Sequence, residues 1–220
     1  MNETERVRAI YRERDSRPSG RYDESRPDVV ARLAARNRIW GNALRGNVPG
    51  IVVEVGAGSG EPARWVRAAG AALVVAVDVD AARLRSARER DPMVLPVVAN
   101  GLALPFGDGV ADVVICSTLF SSILDDGIAA QVAREIRRLL RPGGRVLWFD
   151  FFRDNPRNAD VRGIRPAQLA AWFAGDRVEL ERVVLAPPVA RALGRFPRLS
   201  AALELLPPLR THLAGTITRA

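Results

Sequence analysis

The stretch Ile51-Val52-Val53-Glu54-Val55-Gly56-Ala57-Gly58-Ser59-Gly60 constrains the fold more than any other part of the chain. A β-branched apolar run that ends in a glycine cluster reads as a buried strand entering a tight turn. Glycine in that turn admits positive φ and leaves room for a ligand to approach the backbone. The following segment can open a helix, with Pro62 early enough that its missing N–H costs little. Strand, glycine turn and helix begin a nucleotide-binding α/β unit. A second apolar run, Leu73 to Val77, then leads to Asp78. An acid about 20 residues beyond the turn, at the tip of the second strand, is placed to bond ribose hydroxyls.

The details of the turn choose between ligands. A dinucleotide site wants G-x-G-x-x-G, with a helix N-terminus facing a pyrophosphate. Here the glycines fall as G-x-G-x-G behind Glu54. A carboxylate there repels pyrophosphate and suits a ligand that carries an ammonium.

The rest of the chain extends the same alternation. A polar helix is expected over 3–14, a loop over 16–27, and a helix from Asp28 to about Arg45 with Val30, Leu33 and Ala34 on its apolar face. Strands are expected at 51–55, 73–77, 94–98, 112–116 and 145–150, the last after the Pro142-Gly143-Gly144 turn. Helices are expected at 61–69, 80–90, 125–140 and 166–173, then strands at 178–185 and 213–218. Such β/α alternation argues for a doubly wound, mostly parallel seven-stranded sheet with an antiparallel last strand. The 220 residues, 48% hydrophobic, suffice for a single domain over 1–220 with a full core. Two parts stand apart within it. These are an N-terminal helical cap over 1–49 and a helical insertion over 186–212 before the last strand.

Other classes are set aside by composition. Cys116 is the only cysteine, so neither an internal disulfide nor a cysteine metal cluster can form, and no metal site is expected. No apolar run approaches the ~20 residues of a membrane span, and the charged start lacks a signal-peptide pattern. A cytoplasmic location is the expectation. The net charge of +8 comes from arginines dispersed along the chain, with no basic-aromatic cluster. Nucleic acid is therefore not expected as a partner.

The E-x-G-x-G-x-G segment resembles the first motif of the class I S-adenosylmethionine-dependent methyltransferases. Two further segments carry that resemblance. Asn100 to Cys116, NGLALPFGDGVADVVIC, is similar to the family's block from the third to the fourth strand. Arg134 to Trp148, REIRRLLRPGGRVLW, is similar to its helix, Pro-Gly-Gly turn and fifth strand. The resemblance covers about Ile51 to Asp150 and implies S-adenosyl-L-methionine as cofactor. It implies a binding set of Glu54, Gly56, Ala57, Gly58, Gly60, Asp78, Val79, Asn100, Gly101, Leu102, Cys116 and Ser117. Asn100 stands where the family usually has an acid beside adenine, and its carbonyl oxygen can still accept from the exocyclic amine. The end of the chain loosely resembles bacterial methyltransferases of glycans or lipids. A small-molecule acceptor methylated on a hydroxyl is the implied reaction. RNA methylation and non-catalytic cofactor binding are the alternatives.

No histidine follows the fourth strand, where many relatives carry one; the stretch there is Ser117 to Ser122. The acid–base candidates are Asp150 and Asp154, at and after the fifth strand, and His212, the one histidine. With Tyr11 and Tyr22 around an arginine-rich loop, the N-terminal segment either folds over the cofactor as a lid or stands as an exposed arm. The apolar insertion is expected to pack on its own sheet, to wall the acceptor site or to contact a second subunit as a homodimer.

Overall fold

A computed structural model describes residues 2–16, 24, 26–155, 158–186, 189, 203 and 206–220. The elements run α1 (Glu3–Ser16), α2 (Pro27–Leu44), β1 (Ile51–Val55), α3 (Glu61–Ala68), β2 (Leu73–Asp78), α4 (Ala81–Arg90), β3 (Val94–Val98) and β4 (Ala111–Ser117). A single 3-10 turn (Phe120–Ser122), α5 (Asp126–Leu139), β5 (Leu140–Phe151), α6 (Pro166–Trp172) and β6 (Arg177–Leu185) follow. A second 3-10 turn (Pro207–Leu209) leads into β7 (Arg210–Thr218).

The seven strands form one sheet in the order β3-β2-β1-β4-β5-β7-β6. β1 to β5 are parallel, and β7 runs antiparallel between β5 and β6. This is the doubly wound sheet expected from the β/α alternation. The strand order reverses beside β1, where β2 lies on one side and β4 on the other. Crossovers leave in opposite directions there and open a crevice at the carboxyl ends of the strands.

Strand residues alternate between the two faces, so each face has its own core. Val52, Val74, Val113 and Leu147 pack with Ile39 and Trp40 of α2, Val66 of α3 and Leu84 of α4. Val53, Val75, Val114 and Val146 pack with Val132, Ala133, Ile136 and Leu139 of α5. Trp40 is fully buried and its indole N–H donates to the Trp148 carbonyl at 3.1 Å. Glu54, two residues after Val52, points to the α2 and α3 face.

Three expectations need correction. The buried face of α2 is Val29, Arg36, Ile39 and Trp40, while Val30 is exposed. Arg36 can be buried because Glu61 of α3 pairs with it at 2.7 Å. β5 begins at Leu140, which pairs with Ala111 across a register shift, so the Pro-Gly-Gly segment lies within the strand's span. β7 begins at Arg210 rather than Leu213, because β5 and β6 extend far enough to pair with it: Phe151 with His212 and Leu185 with Arg210. The helical insertion expected over 186–212 falls largely outside the described residues, as does Tyr22.

Candidate functional site

The crevice beside β1 is a cavity of about 580 Å³. Its floor begins at the glycine turn. Gly56 N–H and Ala57 N–H both donate to the Val77 carbonyl of β2, at 2.8 and 2.9 Å. Gly56 has φ of 73°, and a Cβ there would stand 2.7 Å from the Leu119 side chain. Both conditions require glycine. Gly58 N–H donates to one Asp78 carboxylate oxygen at 2.8 Å, and Asp80 N–H donates to the other at 2.9 Å. Asp78 thus fastens the turn to the end of β2 while its remaining lone pairs face the cavity it lines.

Glu54 lines the same cavity and is almost fully buried. It accepts a hydrogen bond from Ala63 N–H at 2.8 Å. Burial pushes its carboxyl up to about 8, and the neighbouring Glu61 adds to the rise. Arg36 pulls the other way, but that guanidinium is already committed to Glu61. The carboxylate form of Glu54 therefore calls for a further cation, and the cavity is where one can enter.

Asn100 lines the cavity as well. Its carbonyl oxygen accepts from Leu102 N–H at 3.1 Å and its amide donates to Thr4 of α1 at 2.9 Å. The latter contact is one of several that lay α1 across the cavity. Arg8 donates to the Val79 carbonyl at 3.0 Å, Arg12 pairs with Asp80 at 2.8 Å, and the Tyr11 hydroxyl meets Ser122 Oγ at 2.7 Å. Arg83 of α4 stands 4.5 Å over the Tyr11 ring. Glu3, Thr4, Val7, Arg8 and Tyr11 line the cavity at the i, i+3, i+4 spacing of one helix face. α1 is a cover over the site in this structure.

Of the cofactor residues expected from sequence, Glu54, Gly56, Ala57, Gly58, Asp78, Val79, Asn100, Gly101, Leu102 and Ser117 line this cavity. Gly60 and Cys116 do not. A Cβ on Gly60 would stand 2.8 Å from that of Ala87, so this glycine serves the approach of α4 to the turn. Cys116 points into the α5-side core, and burial, with Asp150 nearby, drives its thiol well above the usual range.

The acid–base candidates separate in the same way. Asp154 lines the cavity, with one carboxylate oxygen accepting from Gly163 N–H at 2.8 Å. Asp150 is buried beneath it. It accepts from Ser121 N–H at 3.1 Å and from Phe151 N–H at 2.8 Å, and burial raises it to about 6. Its observed contacts hold the 3-10 turn in place and do not face the cavity. His212 is sealed in the sheet, stacked 4.8 Å from the Phe149 ring and 4.1 Å from Phe151. Burial, with Arg32 nearby, pulls its pKa well below the ordinary value, and it is absent from the cavity wall. Inward strand alternation at position 212 removes it from the site.

Sequence reasoning missed Glu3, Thr4 and Arg8 on α1, Arg36 and Glu61 behind Glu54, and the serines of the 3-10 turn. The Thr4, Val7, Tyr11 spacing carried a signal for α1. A short turn with no periodicity carried none for Ser121 and Ser122.

Residues 53–148 match a family model described as a methyltransferase domain. The chain is 35% identical over 118 residues to a demethylmenaquinone methyltransferase of Corynebacterium kroppenstedtii, covering 51% of this chain and 48% of that protein. A Streptomyces griseus protein of the same name is 30% identical over 128 residues, covering 56% of this chain and 53% of that one. The chain spans about half the length of the curated relatives it matches. Among solved structures it resembles the N-methyltransferase NodS from Bradyrhizobium japonicum with S-adenosyl-L-homocysteine. The TM-score is 0.72 at 12% identity, over 97% of this chain and 98% of that one. A Mesorhizobium loti S-adenosylmethionine-dependent methyltransferase gives a TM-score of 0.61 at 18% identity, over 81% and 95% of the two chains. At such identities the structural likeness establishes the fold alone.

Proposed function

We propose that the chain, which carries a methyltransferase-domain match over residues 53–148, is a class I S-adenosylmethionine-dependent methyltransferase that transfers a methyl group from S-adenosyl-L-methionine to a hydroxyl of a small-molecule acceptor. The observation that carries this reading is the convergence of Glu54, the Gly56–Gly58 turn and Asp78 on one cavity beneath α1. These residues suit the cofactor chemically. Glu54 is a buried carboxyl whose ionised form wants a cation, and it would hold the ammonium. Asp78 would accept from the ribose hydroxyls, and Asn100 would face the adenine. Gly56 lets the turn pass close under Leu119, where a Cβ would stand 2.7 Å from that side chain.

The cofactor supplies a methyl group already activated by a sulfonium leaving group. The protein's part is to align the nucleophile and to exclude water. α1, held by Arg8, Tyr11 and Arg12, is the element that excludes water. A hydroxyl acceptor must lose its proton, and Asp154 is the acid–base candidate that lines the cavity. The two kinds of acceptor named among the similar proteins, a demethylmenaquinone and the substrate of an N-methyltransferase, differ chemically. The hydroxyl assignment here rests on Asp154 as a candidate base on the cavity wall. We further propose that the protein acts in the cytoplasm and that nucleic acid is not its acceptor.

The test is incubation of the purified protein with methyl-labelled S-adenosylmethionine and a panel of phenols, hydroxylated lipids and glycosides, read by mass spectrometry. Label is expected on an acceptor oxygen, with a lower kcat in Asp154→Asn. Label found on RNA alone, or binding without transfer to any class, would overturn the proposal.

A further inference from the structure

Among the described residues, two that are not glycine have positive φ: Thr118 at 52° and Val184 at 64°. Both are β-branched, the residue type that pays most for left-handed backbone. Both line the same cavity. Strain of this kind persists only where the surroundings fix it, and it clusters at ligand sites.

Each kink has a visible consequence. Thr118 ends β4 with its N–H on the Phe149 carbonyl at 2.7 Å. The chain then turns into Phe120–Ser122, which sets Ser121, Ser122 and Ile123 on the cavity wall. Val184 sits in β6, where side chains should alternate between faces. Yet Val183 and Val184 both pack in the α2-side core. The left-handed residue breaks the alternation, and pairing with β7 resumes at Leu185 opposite Arg210. Thr211 Oγ1 donates to the Val184 carbonyl at 3.3 Å and holds the kink. The result is a buried valine turned onto the cavity wall.

The half of the cavity walled by α2, the 3-10 turn, β5 and β6 carries a run of apolar residues. Val29 and Leu33 of α2, Ile123, Phe149, Phe151 and Val184 line it. Arg36 of α2 on the same wall is engaged with Glu61, and Arg32 has an interaction of its own, which leaves, among the described residues, the Arg32 Nε and the Ser121 Oγ as the buried polar atoms there without a hydrogen-bond partner. The hydroxyls of Ser122 and Thr211 are engaged as well, with Tyr11 and the Val184 carbonyl. Arg153, Asp154 and Asn155 are exposed and form a polar rim. A polyol needs a hydrogen-bonding partner for each hydroxyl it buries, and this wall supplies few.

Resting on the methyl-transfer reading above, we infer that this half of the cavity takes a compact apolar acceptor of the phenol type, not a sugar, and that Val184 is a specificity-determining residue. The probes are 2-naphthol and methyl β-D-glucoside, titrated into protein saturated with S-adenosylhomocysteine. Val184→Asn is the variant, because asparagine tolerates positive φ and presents a polar group of similar size. Wild type should bind 2-naphthol and not the glucoside. Val184→Asn should bind 2-naphthol about tenfold more weakly, with unchanged affinity for S-adenosylhomocysteine. Should Val184→Asn fail to fold, Val184→Gly, which relieves the backbone strain, takes its place with the same expectation. Binding of the glucoside in preference to 2-naphthol, or unchanged 2-naphthol affinity in the folded variant, overturns the inference. If S-adenosylhomocysteine does not bind at all, the methyl-transfer reading fails. The same naphthol titrations of unloaded protein then decide the apolar site by itself.

Discussion

Replacing Glu54 with glutamine should change both the pH dependence of stability and the proton balance of ligand binding. In the folded protein burial holds this carboxyl at about 8, against an ordinary value of 4.5. Between those values the unfolded chain gives up a proton that the folded chain keeps. Stability is therefore greatest below the ordinary value and falls as pH rises through the folded one. At pH 7 the loss amounts to about 3 kcal/mol at ~1.4 kcal/mol per unit. Glu54→Gln cannot ionise and escapes this loss. It should match wild type near pH 4 and exceed it by up to about 3 kcal/mol at pH 7, measured by urea unfolding across pH. A cationic ligand reverses the preference of the carboxyl. Binding of S-adenosylhomocysteine at pH 7 should release a large part of one proton per site from wild type, and almost none from Glu54→Gln. Calorimetry in two buffers of different ionisation enthalpy reads that number. Equal proton release from the two proteins, with parallel stability profiles, would refute the role given to Glu54.

Four further outcomes follow from the same geometry. Asp78→Ala should weaken S-adenosylhomocysteine binding by roughly 1–3 kcal/mol in calorimetry, because it removes the acceptors proposed for the ribose and frees Gly58 N–H. Tyr11→Phe removes the contact with Ser122 Oγ and should loosen α1 by about 0.5–1.5 kcal/mol, seen as faster amide exchange over 3–11. Trp40→Ala empties a fully buried indole site and should cost about 3–5 kcal/mol in denaturant unfolding. No tight, steeply salt-dependent complex with RNA should form in filter binding, despite the net charge of +8.

The strands and the glycine turn were legible because their signals are local. An apolar run beside glycines fixes both the element and its end, and the spacing to Asp78 adds a second reference point. The residues expected around the turn line the cavity as those signals place them, apart from Gly60 and Cys116. The role of Gly60 depends on how α4 packs against the turn, and the direction of Cys116 on which face its strand position meets. The acid–base residues were less legible for a related reason. Asp150, Asp154 and His212 all lie at or near strand ends, but alternation buries the first and the last and leaves the second on the cavity wall. Arg36 was invisible as a core residue because its burial depends on Glu61, 25 positions away. The kink at Val184 had no sequence signal, since valine is the residue least expected at positive φ.

The central claim is that the cavity beneath α1 is built for S-adenosylmethionine and not for a dinucleotide. Titration of the purified protein with S-adenosylmethionine and, separately, with NAD tests it directly. Saturable one-to-one binding of S-adenosylmethionine, weakened in Asp78→Ala, and no measurable binding of NAD are expected. Saturable NAD binding with no response to S-adenosylmethionine would contradict it.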